Sequence, residues 1–133
     1  WLEIHRCDDA GAVVADLRDR GYALLAAVPS DDSVALTELE LPARTAVMVG
    51  NEKDGLCPDL IDSADIRVNI PMHGFTQSLN VSAATAVILQ HLSQAYRAGG
   101  PANLIDAEAR QRLISSWCTR DIRTKTRGHV QVD

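Results

Sequence analysis

Two short polar segments contain the residues whose types and spacing are best suited to chemistry. Residues 70–82 read IPMHGFTQSLNVS and place the hydroxyl of Ser78 and the amide of Asn80 where a helix is predicted to begin. Twenty residues upstream, residues 50–56 read GNEKDGL and add the carboxylate of Glu52. Either segment alone is weak evidence, because a Gly-Asn-Glu loop is usually a plain turn and Ser-Leu-Asn usually caps a helix. Their occurrence together, in this order and spacing, is the specific signal.

Both segments follow predicted strands, at residues 45–49 and 65–70. Loops that follow the carboxyl ends of parallel strands are where α/β sheets bind ligands. Gly50 and Gly55 permit backbone conformations that are closed to other residues, and they let a flat ligand approach the main chain. Unpaired N–H groups at the start of the following helix add donors at the same place. The two loops are therefore predicted to form one binding site.

The elements that position these loops are read from hydrophobic periodicity and from Gly and Pro. Alternating residues predict a strand at 2–7, and the continuous apolar run 22–28 predicts a buried strand. Strands that alternate with helices predict an α/β fold with a mostly parallel sheet. The remaining segments are predicted as a helix from Asp8 or Asp9 to Gly21, an irregular surface connection at 30–44, and helices at 59–64, 79–98 and 106–117.

The composition fits a globular protein without membrane segments. At 133 residues, with 46% hydrophobic and 23% charged residues, the chain suits one domain with a buried core. No apolar run approaches the roughly eighteen residues that a membrane helix needs, and no signal-peptide pattern opens the chain. The three cysteines lack Cys-x-x-Cys spacing and the four histidines are scattered. These patterns predict reduced thiols, a cytoplasmic location and no metal site.

Charge is distributed unevenly along the chain. The net charge is −5, but residues 1–96 hold six basic and fourteen acidic residues, whereas residues 97–133 hold seven basic and four acidic residues. Two interpretations of the basic end stay open. It can contact phosphate groups, because such contacts respond to local potential rather than to net charge. It can equally be a solvated tail.

The two segments are joined by an apolar strand that ends in Ile-Pro-Met. Together they closely resemble the last two signature motifs of the SpoU/TrmH branch of the SPOUT RNA ribose 2'-O-methyltransferases. The resemblance covers roughly residues 45–92, with a looser likeness from residue 1 onward. It implies S-adenosylmethionine as the cofactor, a SPOUT-type parallel sheet flanked by helices, and a C-terminal trefoil knot. It also implies a homodimer, and the predicted helix 79–98 suits that role because it is apolar on nearly all sides.

The resemblance also assigns roles to single residues. The positions that correspond to the family's adenosylmethionine pocket are Gly50, Ile70 and Leu79, and the neighbours expected to join them are Val49, Met72 and Ser78. The positions that correspond to residues near the family's reaction centre, and are therefore assigned to catalysis, are Glu52, Ser78 and Asn80.

The chain departs from the family pattern in two places. Lys53 stands where the family usually has Gly, which restricts the loop backbone. The family also has an earlier Asn…Arg motif whose arginine is thought to activate the ribose hydroxyl, and no such motif precedes Leu2. Arg44 and Arg67 are interpreted as surface or structural residues rather than substitutes for it. The start at Trp1 and the apparent lack of the first strands predict a processed or partial piece.

The function predicted from these observations is S-adenosylmethionine-dependent 2'-O-methylation of RNA ribose. A tRNA substrate, with guanosine as the candidate nucleotide, is favoured because the opening Trp-Leu-Glu-Ile-His-Arg and the helical, basic C-terminal extension resemble those of the tRNA guanosine enzymes of the family. Three alternatives stay open: a non-catalytic module that binds adenosylmethionine or RNA, an rRNA 2'-O-methyltransferase, and a dimerisation fragment with a vestigial site. The predicted division is a methyltransferase domain at 1–98, with cofactor loops at 49–56 and 69–82, and a helical basic extension at 99–133.

Overall fold

The computed structural model describes residues 4–75, 79–99 and 105–127, with side chains up to Arg120. Four helices lie at Ala10–Asp19 (α1), Pro58–Asp62 (α2), Val81–Ala98 (α3) and Ala107–Arg127 (α4). Four strands lie at Ala23–Ala27 (β1), Val34–Ala35 (β2), Thr45–Met48 (β3) and Ile66–Asn69 (β4), and a 3₁₀ turn lies at Leu36–Glu38. Within the described residues no helix is long and apolar enough to cross a membrane.

The four strands form one parallel sheet in the order β2-β4-β1-β3. β1 lies between β3 and β4, and its residues Leu24, Leu25 and Ala26 are fully buried. This position explains the continuous apolar run, because a central parallel strand is covered on both faces. Since all strands run the same way, the carboxyl ends of β1, β3 and β4 meet at one edge. The α/β fold and the parallel sheet predicted from the sequence are confirmed.

The hydrophobic core lies between the sheet and α3. Leu25 and Val68 enter it from the strands, and Ile88 and Leu92 enter it from the helix. Leu36, in the 3₁₀ turn, completes the buried cluster. α3 is therefore held by one apolar stripe, and its starting residue is fixed at the carboxyl edge of the sheet.

Local signals for helix ends are confirmed at α1. The Asp9 carboxylate accepts a hydrogen bond from the Ala12 N–H at 3.1 Å and caps the helix. Gly21, with φ +74°, lets the chain turn into β1. Arg18 donates to the Ser63 carbonyl at 2.7 Å, which fastens α1 to the end of α2.

The structure corrects several predicted elements. Residues 4–7 are not a strand, and residues 2 and 3 of that prediction lie outside the described residues. The connection 30–44 is not wholly irregular surface, because β2 pairs with β4 there and Leu36 is buried beneath α3. The last helix does not end at 117 but continues to residue 127.

The prediction that helix 79–98 is apolar on nearly all sides and buried is only partly correct. The helix begins at Val81, since Asn80 is its cap, and it ends at Ala98 before Gly99. Ile88 and Leu92 are its buried residues, whereas Val87 and Leu89 are 44% and 53% exposed. The monomer therefore covers one stripe of α3 and leaves apolar side chains on both flanks of that stripe in contact with solvent.

Candidate functional site

A cavity of about 480 Å³ opens at the carboxyl edge of the sheet, between the strand ends and the first turns of α3. Its volume lies in the range of pockets that hold a small molecule or cofactor. Its walls come from the ends of β1, β3 and β4 and from α3, as the parallel topology requires. The lining residues are 27–30, 49–52, 54–56, Ile61, 68–70, Met72, Leu79, Val81, Ala84 and Ile88.

The first wall is the loop at residues 50–56, which is closed by its own hydrogen bonds. Asn51 and Gly55 pair through both main-chain groups at 3.1 Å. The Asn51 side-chain oxygen also accepts from the N–H groups of Lys53 at 2.9 Å and Asp54 at 2.7 Å. Gly55 adopts φ +70°, which favours glycine. Lys53 stands at a turn position with negative φ, so the loop accommodates it in place of the family's usual glycine.

Gly50 is required for a reason other than the predicted one. Its φ is not positive, so the expectation of a special backbone conformation is wrong at this position. The cause is close approach: a Cβ at Gly50 would lie 2.0 Å from the Gly55 carbonyl carbon and 2.2 Å from the Leu56 nitrogen. Any side chain there would push the loop open.

The second wall comes from the segment after β4. Ile70 and Met72 are half-buried in the cavity, and Leu79 lies at its rim with 36% of its surface exposed. Val49, on the opposite loop, is 37% exposed at the same rim. The structure therefore brings together five of the six predicted cofactor residues: Val49, Gly50, Ile70, Met72 and Leu79. The sixth, Ser78, lies outside the described residues.

A side-chain contact joins the two loops. The Asn80 amide donates to the Glu52 carboxylate, and its oxygen accepts from the Ser82 N–H at 2.9 Å, which caps α3. Glu52 lines the cavity, whereas Asn80 does not. Two predicted catalytic residues thus lie in contact beside the cavity, and Asn80 links the helix start to the first loop.

A third wall was not predicted from the sequence. Residues 28–33, the β1–β2 loop, place Val28, Pro29 and Ser30 on the cavity. The Val28 N–H donates to the Val68 carbonyl at 3.0 Å, which continues the pairing of β1 with β4 beyond the strand. The signal was present, because an apolar strand followed by Pro and Ser in a parallel sheet ends at the same edge as the two recognised loops.

Polar side chains from β4 hold the β1–β2 loop in place. Arg67 forms an ion pair with Asp32, and a longer one with Asp62 at 3.5 Å. The Asn69 amide donates to the Ser33 hydroxyl at 2.6 Å. The neighbouring Ser30 hydroxyl and, less strongly, Arg67 hold the pKa of the Asp32 carboxyl below its usual value.

The other arginine considered from the sequence lies at the opposite edge of the sheet. Arg44 packs over the Tyr22 ring at 4.6 Å, and Arg20 lies 5.3 Å from the centre of the same ring. A hydrogen bond from Arg44 is the main reason that the pKa of the Tyr22 phenol is lowered. Arg44 and Arg67 thus act within the fold, as expected. Among the described residues that line the cavity, Glu52 and Asp54 are acidic and none is Lys, Arg or His.

Similar proteins come from several bacteria. The tRNA (guanosine(18)-2'-O)-methyltransferase of Aquifex aeolicus is 31% identical over 124 residues, which cover 92% of this chain and 59% of that protein. The protein of the same name from Thermus thermophilus is 33% identical over 119 residues, which cover 88% of this chain and 61% of that protein. The chain spans about three fifths of the length of these two relatives.

Solved structures share the fold. The A. aeolicus TrmH/SpoU tRNA modifying enzyme superposes with a TM-score of 0.74 at 30% identity, over 87% of this chain and 60% of that one. The SpoU methyltransferase AviRb of Streptomyces viridochromogenes was solved in complex with the cofactor AdoMet. It superposes with a TM-score of 0.58 at 26% identity, over 69% of this chain and 38% of that one. The model of the SpoU rRNA methylase family matches residues 1–90, which include both loops. The chain therefore belongs to the SpoU rRNA methylase family.

Proposed function

We propose that this chain carries the S-adenosylmethionine site of an RNA ribose 2'-O-methyltransferase that acts on tRNA. The observation that carries the proposal is one cavity lined by five residues predicted to bind the cofactor, with the Glu52–Asn80 contact beside it. The names of the relatives from A. aeolicus and T. thermophilus support tRNA as the substrate and guanosine as the nucleotide. The AdoMet complex of AviRb supports the cofactor.

The residues present suit this cofactor. Ile70, Met72 and Leu79 offer apolar contact to a purine, and Gly50 contributes main chain to the cavity wall. Ser78, by its place in the motif, is expected to join them. When bound, the cofactor supplies an electrophilic methyl group on sulfur. The roles of the residues named here rest on their positions and on the family motif.

In this proposal Glu52, Ser78 and Asn80 orient the reacting groups. Asn80 holds Glu52 through its amide, so that the carboxylate keeps a fixed direction at the cavity. Holding two reactants in line is a large part of the catalysis of group transfer. Ser78 adds a hydroxyl at the start of α3 by virtue of its sequence position.

A second candidate is a module that binds adenosylmethionine or RNA without turnover. A ribose hydroxyl is a weak nucleophile and needs activation. No basic side chain lines the cavity within the part of the chain that the structure describes. An rRNA substrate is a third candidate, supported by the name of the family model.

Four further features belong to the proposal. The exposed apolar side chains of α3, Val87 and Leu89, support a homodimer. The family resemblance supports a trefoil knot in the C-terminal half. The division into a methyltransferase domain at 1–98 and a basic helical extension at 99–133 follows the predicted boundary. The cytoplasmic location rests on the three unpaired, exposed cysteines and on the tRNA substrate.

Two measurements test the proposal. Calorimetry should detect S-adenosylmethionine binding that is lost in Leu79→Asp and kept in Ile105→Asp, a matched change at an exposed residue away from the cavity. Incubation with tRNA and labelled cofactor, followed by nucleoside mass spectrometry, should detect a 2'-O-methylated ribose. Binding without methylation would favour the second candidate. Absence of cofactor binding would refute the proposed site.

A further inference from the structure

Phe75 is the only phenylalanine of the chain, and its side chain is fully exposed, at 108% of its reference area. The other aromatic residues with described side chains are engaged within the fold. Two arginines flank the Tyr22 ring, the Tyr96 hydroxyl is hydrogen-bonded, and Trp117 is half-buried. A single exposed apolar residue is ordinary on a protein surface. Its position beside the cavity is what makes Phe75 informative.

The two cavity loops carry a second set of residues, which are exposed and do not line the cavity. On the first loop Lys53 stands between two acidic residues that line it. On the second loop His73 follows Met72, which lines it, and Phe75 comes two positions later. We call Lys53, His73 and Phe75 the outer surface of the loops. It combines a cation, an imidazole and an aromatic ring.

This outer surface lies close to the place where an acceptor ribose must bind. Methyl transfer requires the ribose hydroxyl to be held in line at the cavity, where Asn80 fixes the Glu52 carboxylate. Phe75 comes three positions after Met72, so the Cα atoms of these two residues are at most about 11 Å apart. Because a base is attached directly to its ribose, the base of the acceptor nucleotide or of its neighbour is within reach of the ring.

The chemistry of the outer surface suits single-stranded RNA. Glu52 and Asp54 make the cavity wall negative, which disfavours phosphate groups there. Aromatic side chains bind unpaired RNA by stacking on its bases, and this contact needs no charge. Lys53 takes part in no ion pair among the described residues, so its amine is available to a phosphate outside the cavity.

A second copy of the chain fits this surface less well. Stable contacts between proteins bury a continuous apolar area. The described neighbours of the Phe75 ring along the chain are Gly74 and His73, which add little apolar area to it. One ring beside a cation and an imidazole is better matched by a flat base and its phosphate.

We propose that Phe75 stacks on a base of the RNA substrate, at the acceptor nucleotide or the one next to it, and that Lys53 contacts a phosphate of the same strand. This assignment rests on the proposed function and deepens it, because it names the surface that holds the RNA. The inner sides of the two loops bind the cofactor, and their outer sides bind the acceptor. The same two loops thereby set the position of one reactant against the other.

The test measures the binding of an unmodified tRNA transcript over a range of salt concentrations. We expect Phe75→Leu, which stays apolar but loses the ring, to bind about tenfold more weakly at every salt concentration. Phe75→Tyr keeps the ring and should bind like the unaltered chain. Lys53→Gln should instead reduce the slope of log affinity against log salt by about 0.7–0.9, as loss of one phosphate contact does.

Ile105→Ala is the matched control, since it changes an exposed apolar residue that does not line the cavity. It should leave tRNA affinity unchanged. Phe75→Leu should keep the affinity for S-adenosylhomocysteine and the melting temperature of the unaltered chain, because the ring is exposed and lies outside the cavity wall.

Three outcomes would overturn the assignment and leave the proposed function standing. The first is equal tRNA affinity of Phe75→Leu and the unaltered chain. The second is an equal loss in Phe75→Leu and Phe75→Tyr, which would exclude stacking. The third is a lower mass of Phe75→Leu in light scattering, which would assign the ring to a contact with a second copy. Absence of tRNA binding by the unaltered chain would overturn the tRNA substrate of the proposed function as well.

Discussion

At the scale of single residues, Gly50 has no room for a side chain, because it faces the main chain on the far side of its own loop. Since a Cβ there would lie 2.0 Å from the Gly55 carbonyl carbon, Gly50→Ala must displace the main chain. We expect this variant to lose measurable cofactor binding in calorimetry while the sheet still forms. Gly11→Ala is the control, because its Cβ would meet only the flexible Asp9 carboxylate, at 3.2 Å. Unchanged affinity in Gly50→Ala would place the cofactor elsewhere.

Asn80 has two roles that substitution can separate. Asn80→Ala removes both the cap of α3 and the contact with Glu52. It should lower the free energy of unfolding by about 1 kcal/mol and should also reduce turnover. Asn80→Asp keeps an acceptor for the cap but cannot donate to Glu52. We therefore expect Asn80→Asp to unfold near the temperature of the unaltered chain and to lose activity like Asn80→Ala. If Asn80→Asp keeps full activity, the contact with Glu52 has no role.

Tyr22 should ionise at a lower pH than an ordinary tyrosine, whose pKa is about 10. Arg44 stabilises the phenolate first by a hydrogen bond and then by its charge. Absorbance at 295 nm should show this early ionisation, and Arg44→Met should move it to higher pH. Tyr22→Phe should abolish it. Because the folded pKa is lowered, the added stability is fully present above the unfolded pKa and is lost as the pH falls through the folded pKa.

At the scale of elements, the β1–β2 loop depends on Arg67. Arg67→Gln removes the ion pair with Asp32, so the loop should sample more positions and bind S-adenosylhomocysteine several-fold more weakly. The melting temperature should change little, because partly exposed ion pairs contribute about 0–1 kcal/mol. Arg20→Gln, which removes an exposed pair with Asp16 far from the cavity, should leave affinity unchanged. Equal affinities of the two variants would contradict this role for Arg67.

Elements whose signals are local were predictable from the sequence. Asp9 and Asn80 cap helices with their own side chains, and β1 is apolar because both its faces are covered. Elements fixed by distant contacts were not predictable. Leu36 is buried because α3, far along the chain, covers it. The third wall depends on Arg67 reaching back 35 positions to Asp32, which no local pattern records.

The candidate site also has features that local sequence patterns predict and features that depend on distant contacts. Five predicted cofactor residues converge because they follow β3 and β4, which flank β1 and end at the same edge of the sheet. Ser30 follows the end of β1, in the loop that forms the third wall, but it belongs to no recognised motif. The reason for Gly50 also depended on atoms across the loop. Which residues lie at the site was therefore easier to predict than the physical reason for each.

At the scale of the whole molecule, α3 leaves Val87 and Leu89 exposed at 44% and 53%. Apolar side chains left exposed on a helix favour association with a second copy, as the family resemblance implies. Light scattering at micromolar concentration should give the mass of a dimer, and Leu89→Asp should give a monomer. Ile105→Asp changes an equally exposed residue outside α3 and should leave the dimer intact. A monomeric unaltered chain would refute the dimer.

The parallel sheet also determines the order in which the chain can fold. β1 is made before β3 and β4, and its register partners lie far ahead, since Ala23 pairs with Thr45 and Leu25 pairs with Ile66, 22 and 41 positions later. Parallel strands cannot close as hairpins, and contacts between distant residues slow folding. During synthesis the three fully buried residues of β1 therefore stay exposed until β4 has emerged and can pair with them. Over that interval the nascent chain presents an apolar strand with two open edges, which is where aggregation begins and where a chaperone would bind.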